Sequence, residues 1–166
     1  KIKNRSRLFY RMANIEVSQI KGKNNWALLL DPDGFITEGT GDNFFIVKNG
    51  KILTPEGRNI LRGISRDYIF TLAEELNIPC KECNIEPYDV YTADEAFMTA
   101  TPFCILPTVS LQGIKIGNGK MGNITTTLLR KWSENVGLDI QGQIQEYGKE
   151  VEYLNSGHST PYQFNR

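Results

Sequence analysis

The sequence predicts a chain of mixed α/β class, and three observations carry that expectation. Apolar residues recur at helical spacing in three separate stretches. Between apolar runs stand Asp33-Gly34 and Asn49-Gly50, dipeptides that favour the tight turns of β-hairpins. Hydrophobic residues make up 40% of the 166, enough to bury the core of one domain.

Residues 5–20 place Leu8, Met12 and Ile15 at i, i+4 and i+7, which is an amphipathic helix closed by the turn formers of 21–25. The stretch 26–31 (WALLLD) reads as a buried strand, Asp33-Gly34 as a turn and 35–39 (FITEG) as its partner. NFFIVK and KILTP flank Asn49-Gly50, so 26–54 is expected to form a compact antiparallel set. Residues 65–76 put Ile69, Leu72, Ala73 and Leu76 on one helical face, with Ser65 as the expected cap and Asn77-Ile78-Pro79 as the stop. CKECNI then reads as a short strand and PYDVYTA as a short helical turn. EAFMTAT and CILPTVSL follow as two strands broken at Thr101-Pro102. After GNGKMG, residues 123–136 carry Ile124, Leu128, Trp132 and Val136 on one side of a helix. From Gln141 onward the chain is polar with little periodicity, and a loosely ordered tail is expected.

Composition narrows the function. Lys+Arg and Asp+Glu are 19 each, so the formal net charge is zero, against the basic excess of a nucleic-acid binder. No apolar run reaches the ~18 residues of a membrane span. Three cysteines make no disulfide framework. No nucleic-acid partner, no membrane partner and a cytoplasmic setting are therefore expected.

Two motifs carry less than their spelling suggests. Gly117-Asn118-Gly119-Lys120-Met121-Gly122 matches G-x-G-x-x-G, but the chain beyond it is too short for the βαβ units of a dinucleotide fold. A tight turn into a helix accounts for it better. Cys80-Lys81-Glu82-Cys83 is a lone C-x-x-C, and the one histidine, His158, is far away in sequence. Four zinc ligands are not available, and on a strand residues three apart face opposite ways. Plain reduced thiols, and no metal, are expected.

Three other places suit chemistry. Glu38 stands among glycines in Glu38-Gly39-Thr40-Gly41-Asp42-Asn43, where backbone can approach a ligand closely. Gly63-Ile64-Ser65-Arg66 opens a helix whose free N–H groups and dipole favour an anion. Thr99-Ala100-Thr101 ends a strand with hydroxyls at a loop, a third place to hold a phosphate. Taken singly, these would read as a solvated hairpin carboxylate, an ordinary helix start and a polar turn.

Taken in order they resemble the class IV, or fold-type IV, pyridoxal-phosphate enzymes, the branched-chain and D-amino-acid aminotransferases and aminodeoxychorismate lyase. The matching stretches are Lys3-x-x-x-Arg7-Leu8, residues 27–55, Leu61-Arg62-Gly63-Ile64-Ser65-Arg66, residues 93–101, Ile105-Leu106-Pro107 and GKMGNITTTL. The resemblance implies the cofactor-binding, C-terminal domain of that fold over residues 1–140, with 141–166 as a polar tail. It implies pyridoxal 5′-phosphate as cofactor and an amino acid and a 2-keto acid as substrates, in a homodimer.

Residue by residue, Lys3 resembles the Schiff-base lysine and general base; Lys1 is its rival, without the Arg-Leu pair at the right offset. Arg7 belongs to the motif that follows the lysine. Glu38 resembles the acid that pairs with the pyridine nitrogen, and Leu61 the side chain packed on the ring. Ile64, Ser65 and Thr101 resemble the phosphate ligands, and Ala100 with Thr101 the substrate side of the turn. Two departures stand out. Ser65 replaces the threonine of many members and keeps the hydroxyl. Pro102 follows Thr101 and removes a backbone donor where members of this kind hold the substrate carboxylate.

The resemblance allows three activities: transamination, the pyruvate elimination of the lyase branch, or a remnant without cofactor. The first is expected. Because the chain begins Lys-Ile-Lys and the candidate lysine is third, it is expected to be the larger half of a two-domain enzyme that lacks its N-terminal domain.

Overall fold

Asn43-Phe44-Phe45-Ile46-Val47-Lys48 has four apolar residues in a row, so as a strand it has no face to leave in water. The computed structural model describes residues 6–155 and places this run at the middle of a sheet, with Phe44, Phe45 and Ile46 fully buried. In chain order the elements are α1 (Leu8–Ser18), β1 (Leu28–Leu30), β2 (Ile36–Gly39), β3 (Asn43–Lys48), β4 (Lys51–Pro55), α2 (Ile64–Glu75), β5 (Cys80–Cys83) and α3 (Pro87–Tyr91). Then come β6 (Glu95–Ala100), β7 (Cys104–Pro107), β8 (Ser110–Leu111), β9 (Ile114–Lys115), α4 (Asn123–Val136) and α5 (Ile140–Asn155).

Strands β1 to β7 form one sheet. It is antiparallel throughout except for the parallel β4–β5 pair, and β8 and β9 make a separate small hairpin. Strand β3 organises it. One edge pairs with β6 from Asn43↔Thr99 to Val47↔Glu95. The other edge is shared, by β2 at Glu38↔Asn43 and by β4 from Ile46↔Leu53 to Lys48↔Lys51. The strand thus starts beside one hairpin and ends in another.

Both faces of the sheet are covered. Phe45, Val47, Ile52 and Phe97 pack on Ile69 and Leu72 of α2 and on Leu128 and Trp132 of α4. Phe44, Ile46, Ala96 and Met98 pack on the other side, against Ile85, Val90 of α3 and Ile116. Phe45 and Phe97, opposite each other across the ladder, stack with ring centroids 4.9 Å apart. Burying each such side chain contributes about 2 kcal/mol, which makes this strand pair the energetic centre of the fold.

The expected hairpin turns are present. Asn49 and Gly50 both have positive φ (52° and 72°), the conformation that makes this dipeptide favourable there. Cys80 packs with one core layer and Cys83 with the other, as residues three apart on a strand must, and burial raises both thiols, Cys80 to about 12.

Four expectations need correction. Helix α1 starts at Leu8, and its apolar stripe does not face the core: Leu8, Met12 and Ile15 are each more than half exposed, and only Tyr10 is buried. A helical period marks a helix, but not which face finds a partner. Strand β1 is three residues long with Leu30 half exposed, where a fully buried strand was expected. Ser65 is not the cap of α2; Gly63 holds that position, and Ser65 lies inside the first turn. Residues 140–155 form α5, where the sequence predicts a loosely ordered tail from Gln141; Ile140 is buried against the α2–α4 layer and anchors it.

Candidate active site

Because β3 gives its first residue to β2 and its last three to β4, the two hairpins splay apart at Asn43. A cleft of about 800 Å³ opens there, between the 39–42 turn, the loop before α2 and the turn after β6. That size suits a cofactor or small substrate.

Glu38 is the buried carboxylate on the floor, 5% exposed. The Tyr10 hydroxyl donates to its Oε1, while Asn43 Nδ2 (3.0 Å) and the Leu61 amide (2.9 Å) donate to its Oε2. The same Asn43 Nδ2 reaches the Leu61 carbonyl at 2.8 Å, so one side chain ties β3, Glu38 and the loop before α2 together. The loop comes this close because residue 63 is glycine: a Cβ there would stand 2.5 Å from Asn43 Oδ1.

From that loop α2 starts. Its cap, Gly63, supplies no side-chain acceptor, so the amides of the first turn keep the unsatisfied donors and positive end of a helix start. Ile64 is 88% exposed there, while Ser65 is buried, and both line the cleft. Arg66 fixes the turn from below. It is 2% exposed, bonds Glu82 Oε1 of β5 at 2.7 Å and the Pro55 carbonyl of β4 at 3.1 Å, and lies over the Phe70 ring. The hydrogen bond from Arg66 holds the Glu82 carboxyl below its usual range.

The third wall is the turn after β6. Ala100, Thr101 and Pro102 line the cleft, closed by Phe103 N–H on the Ala100 carbonyl at 3.3 Å. Thr99 does not take part through its hydroxyl, which donates to the Cys104 carbonyl at 2.6 Å. On the remaining side Arg7, in a left-handed conformation (φ 44°), donates from Nη2 to the Thr40 carbonyl at 2.5 Å and covers the Tyr10 ring. Burial, reinforced by the Glu38 hydrogen bond, pushes the Tyr10 phenol well above its ordinary value.

The structure therefore gathers Arg7, Glu38, Leu61, Ile64, Ser65, Ala100 and Thr101 around one cleft, from four separate segments. Lys3 and Lys1 lie outside the described residues. The sequence reading missed Tyr10, Asn43 and Asp42. Asn43 could have been found from the strand register alone, as the residue opposite Glu38. Among the described residues no His/Cys/Asp/Glu group could hold a metal ion.

The G-x-G-x-x-G segment lies elsewhere. Gly117 and Gly119 take positive φ in a turn, and a Cβ on Gly122 would stand 2.0 Å from the Glu95 carboxyl carbon. Glu95 caps α4 through the amides of Ile124 (2.9 Å) and Thr125 (2.8 Å) and the Thr125 hydroxyl (2.6 Å). Gly122 makes room for a protein carboxylate, while Gly117 lies against the Asp94 carbonyl.

The family model described as amino-transferase class IV matches residues 1–111. The branched-chain-amino-acid aminotransferase of Pseudomonas aeruginosa is 42% identical over 117 residues, 70% of this chain and 38% of that protein. Its Escherichia coli K12 counterpart is 42% identical over 99 residues, 59% of this chain and 32% of that protein. Among solved structures, the Escherichia coli enzyme has TM-score 0.71 at 35% identity, over 80% of this chain and 43% of that one. The branched-chain aminotransferase of Thermobaculum terrenum in its PLP form has TM-score 0.72 at 31% identity, over 81% and 44%. The chain spans about two-fifths of the length of these relatives.

Proposed function

The chain belongs to the class IV aminotransferases, and from that premise we propose that it is the cofactor-holding part of a pyridoxal-phosphate-dependent transaminase. The reaction is transfer of an amino group between an amino acid and a 2-keto acid. The names of its relatives favour a branched-chain amino acid. One observation carries the proposal: a buried carboxylate, Glu38, and an uncapped helix start at Gly63 face one cleft, tied by Asn43.

Pyridoxal phosphate fits this set. The α2 amides and the Ser65 hydroxyl would hold its phosphate, with Thr101 across the cleft, and Leu61 would pack on the ring. When bound, the cofactor supplies an electron-withdrawing ring that stabilises negative charge developing at the substrate carbon. Glu38 would keep the ring nitrogen protonated, and its own donors hold it in place for that. Lys3 would carry the cofactor and move the substrate proton. Pro102 offers no N–H, so a substrate carboxylate at this turn depends on Thr101 and Ala100. Residues 1–140 as the cofactor domain, the homodimer and the cytoplasmic setting complete this reading. No described helix is long and apolar enough to cross a membrane.

Titrating the 166-residue chain with pyridoxal phosphate, reducing with borohydride and mapping the labelled peptide tests the proposal. A visible absorption band and a label on Lys3 are expected. A label on Lys1 would reassign the lysine, and no band at all would remove the cofactor from the reading. Keto-acid formation that needs an amino donor separates transamination from elimination of pyruvate.

A further inference from the structure

The cleft is lined by a cation to which the proposed chemistry gives no role. Arg7 stands at the start of α1 in the left-handed conformation (φ 44°, ψ 27°), a costly one for a residue with a Cβ and one that gathers at ligand sites. Its guanidinium is held in place. Nη2 donates to the Thr40 carbonyl at 2.5 Å, and the group lies over the Tyr10 ring, 5.4 Å from the centroid. These contacts use one N–H and one face of a planar group with several further donors. The residue is exposed, and among the described residues no carboxylate pairs with it.

A transaminase of amino acids holds two anions in its cleft, the cofactor phosphate and the α-carboxylate common to both substrates. The phosphate has the start of α2. The carboxylate finds little at the turn after β6. Pro102 has no N–H, the Phe103 N–H is engaged by the Ala100 carbonyl at 3.3 Å, and the Thr99 hydroxyl by the Cys104 carbonyl at 2.6 Å. None of residues 99–103 is charged. Arg62 also lines the cleft, but its guanidinium lies against Gly57. Arg7 touches a carbonyl and a ring, which fix its planar fork without neutralising it. Such a fork binds a carboxylate by paired, charge-assisted hydrogen bonds, each stronger than a bond between neutral groups. Its place in the chain fits as well. The substrate amino group reacts where the lysine does, the carboxylate is on the same carbon, and Arg7 follows Lys3 by four residues.

We propose that Arg7 binds the α-carboxylate of the amino-acid and keto-acid substrates and supplies the charge that the turn after β6 lacks. The Thr40 carbonyl and the Tyr10 ring hold the fork ready for it. Arg7 is thereby a specificity residue: the cleft favours amino acids over amines that carry no carboxylate. This inference rests on the cofactor reading above.

Calorimetric titration of the 166-residue chain loaded with pyridoxal phosphate tests it. The probes are isocaproate, a carboxylate with no amino group to react, and isocaproamide, its neutral counterpart. Wild type should prefer the acid. Arg7→Gly removes the guanidinium and suits the left-handed backbone; it should weaken the acid about thirtyfold and leave the amide unchanged. Arg7→Lys keeps the charge without the fork and should recover part of the loss. Equal affinity for the acid in wild type and Arg7→Gly overturns the proposal, and so does an equal loss for acid and amide, the mark of a merely structural role. A loss of pyridoxal phosphate affinity as large as the loss for the acid would place Arg7 on the cofactor and overturn it too. In each of these cases the cofactor reading stands, because wild type still takes up pyridoxal phosphate. A wild-type chain that takes up none overturns both. If Arg7→Gly does not fold, Arg7→Lys decides: an acid preference below that of wild type supports the proposal, and an unchanged one overturns it.

Discussion

Two helices of this chain begin at a glycine, and their first turns have opposite fates. At α4, Gly122 leaves room for the Glu95 carboxylate, which takes up two amides and a hydroxyl. At α2, Gly63 leaves room for Asn43 instead, and Asn43 turns its bonds toward Glu38 and Leu61. Both sites lie near the sheet, and both glycines are there because a side chain comes within 2.5 Å of where a Cβ would be. The difference is in the neighbour's charge. A protein carboxylate closes the first end; an amide leaves the second end positive and open to the cleft. Helix starts are alike in their donors, and what stands beside them decides whether they hold structure or ligand.

Breaking the closed end should cost most. Glu95→Ala strands the α4 amides and is expected to lower stability by about 3 kcal/mol, measured by urea unfolding. Binding of pyridoxal phosphate per folded molecule should be unchanged. Gly63→Ala strikes the open end through packing. By displacing Asn43 it should cost about 2 kcal/mol and also weaken cofactor binding, because Leu61 and Glu38 lose their shared tie. Ser65→Ala should leave the unfolding midpoint alone and reduce affinity for pyridoxal phosphate about fivefold, near 1 kcal/mol. The sharpest contrast comes from Ile64→Glu. Its side chain is exposed, so a carboxylate there should stabilise α2 by about 0.5 kcal/mol while weakening phosphate binding. Opposite signs in melting and in binding are the expected result; the same sign would mean that the α2 end is structural like the other.

The open end was legible in sequence because its signal is local: a glycine, a hydroxyl and the start of a helical period. The Asn49-Gly50 turn was legible for the same reason, since two consecutive positive φ angles favour that dipeptide. The closed end was not. Glu95 lies 29 and 30 residues from the amides it caps, and nothing near Gly122 points to it. Tyr10 was missed likewise, 28 residues from Glu38 and hidden among the more conspicuous Leu8, Met12 and Ile15. Its partner decided which face of α1 turned inward. The α5 helix escaped because its composition is polar and its start is fixed by Ile140, buried at the first position. Strands β8 and β9, two residues each, are too short to show any period.

The shared edge of β3 also sets time. Amides of that strand are locked between β6 on one side and two hairpins on the other, so they exchange with solvent only when the sheet itself opens. Helix α1, which presents an apolar face to water and buries only Tyr10, has no such restraint. In hydrogen exchange the Asn43 side of the cleft should be slow and the Tyr10 side fast. The floor that carries Glu38 is held by the sheet, and the facing wall by side-chain hydrogen bonds of Arg7, Tyr10 and Asn14, so entry to the cleft is expected on the side of that wall.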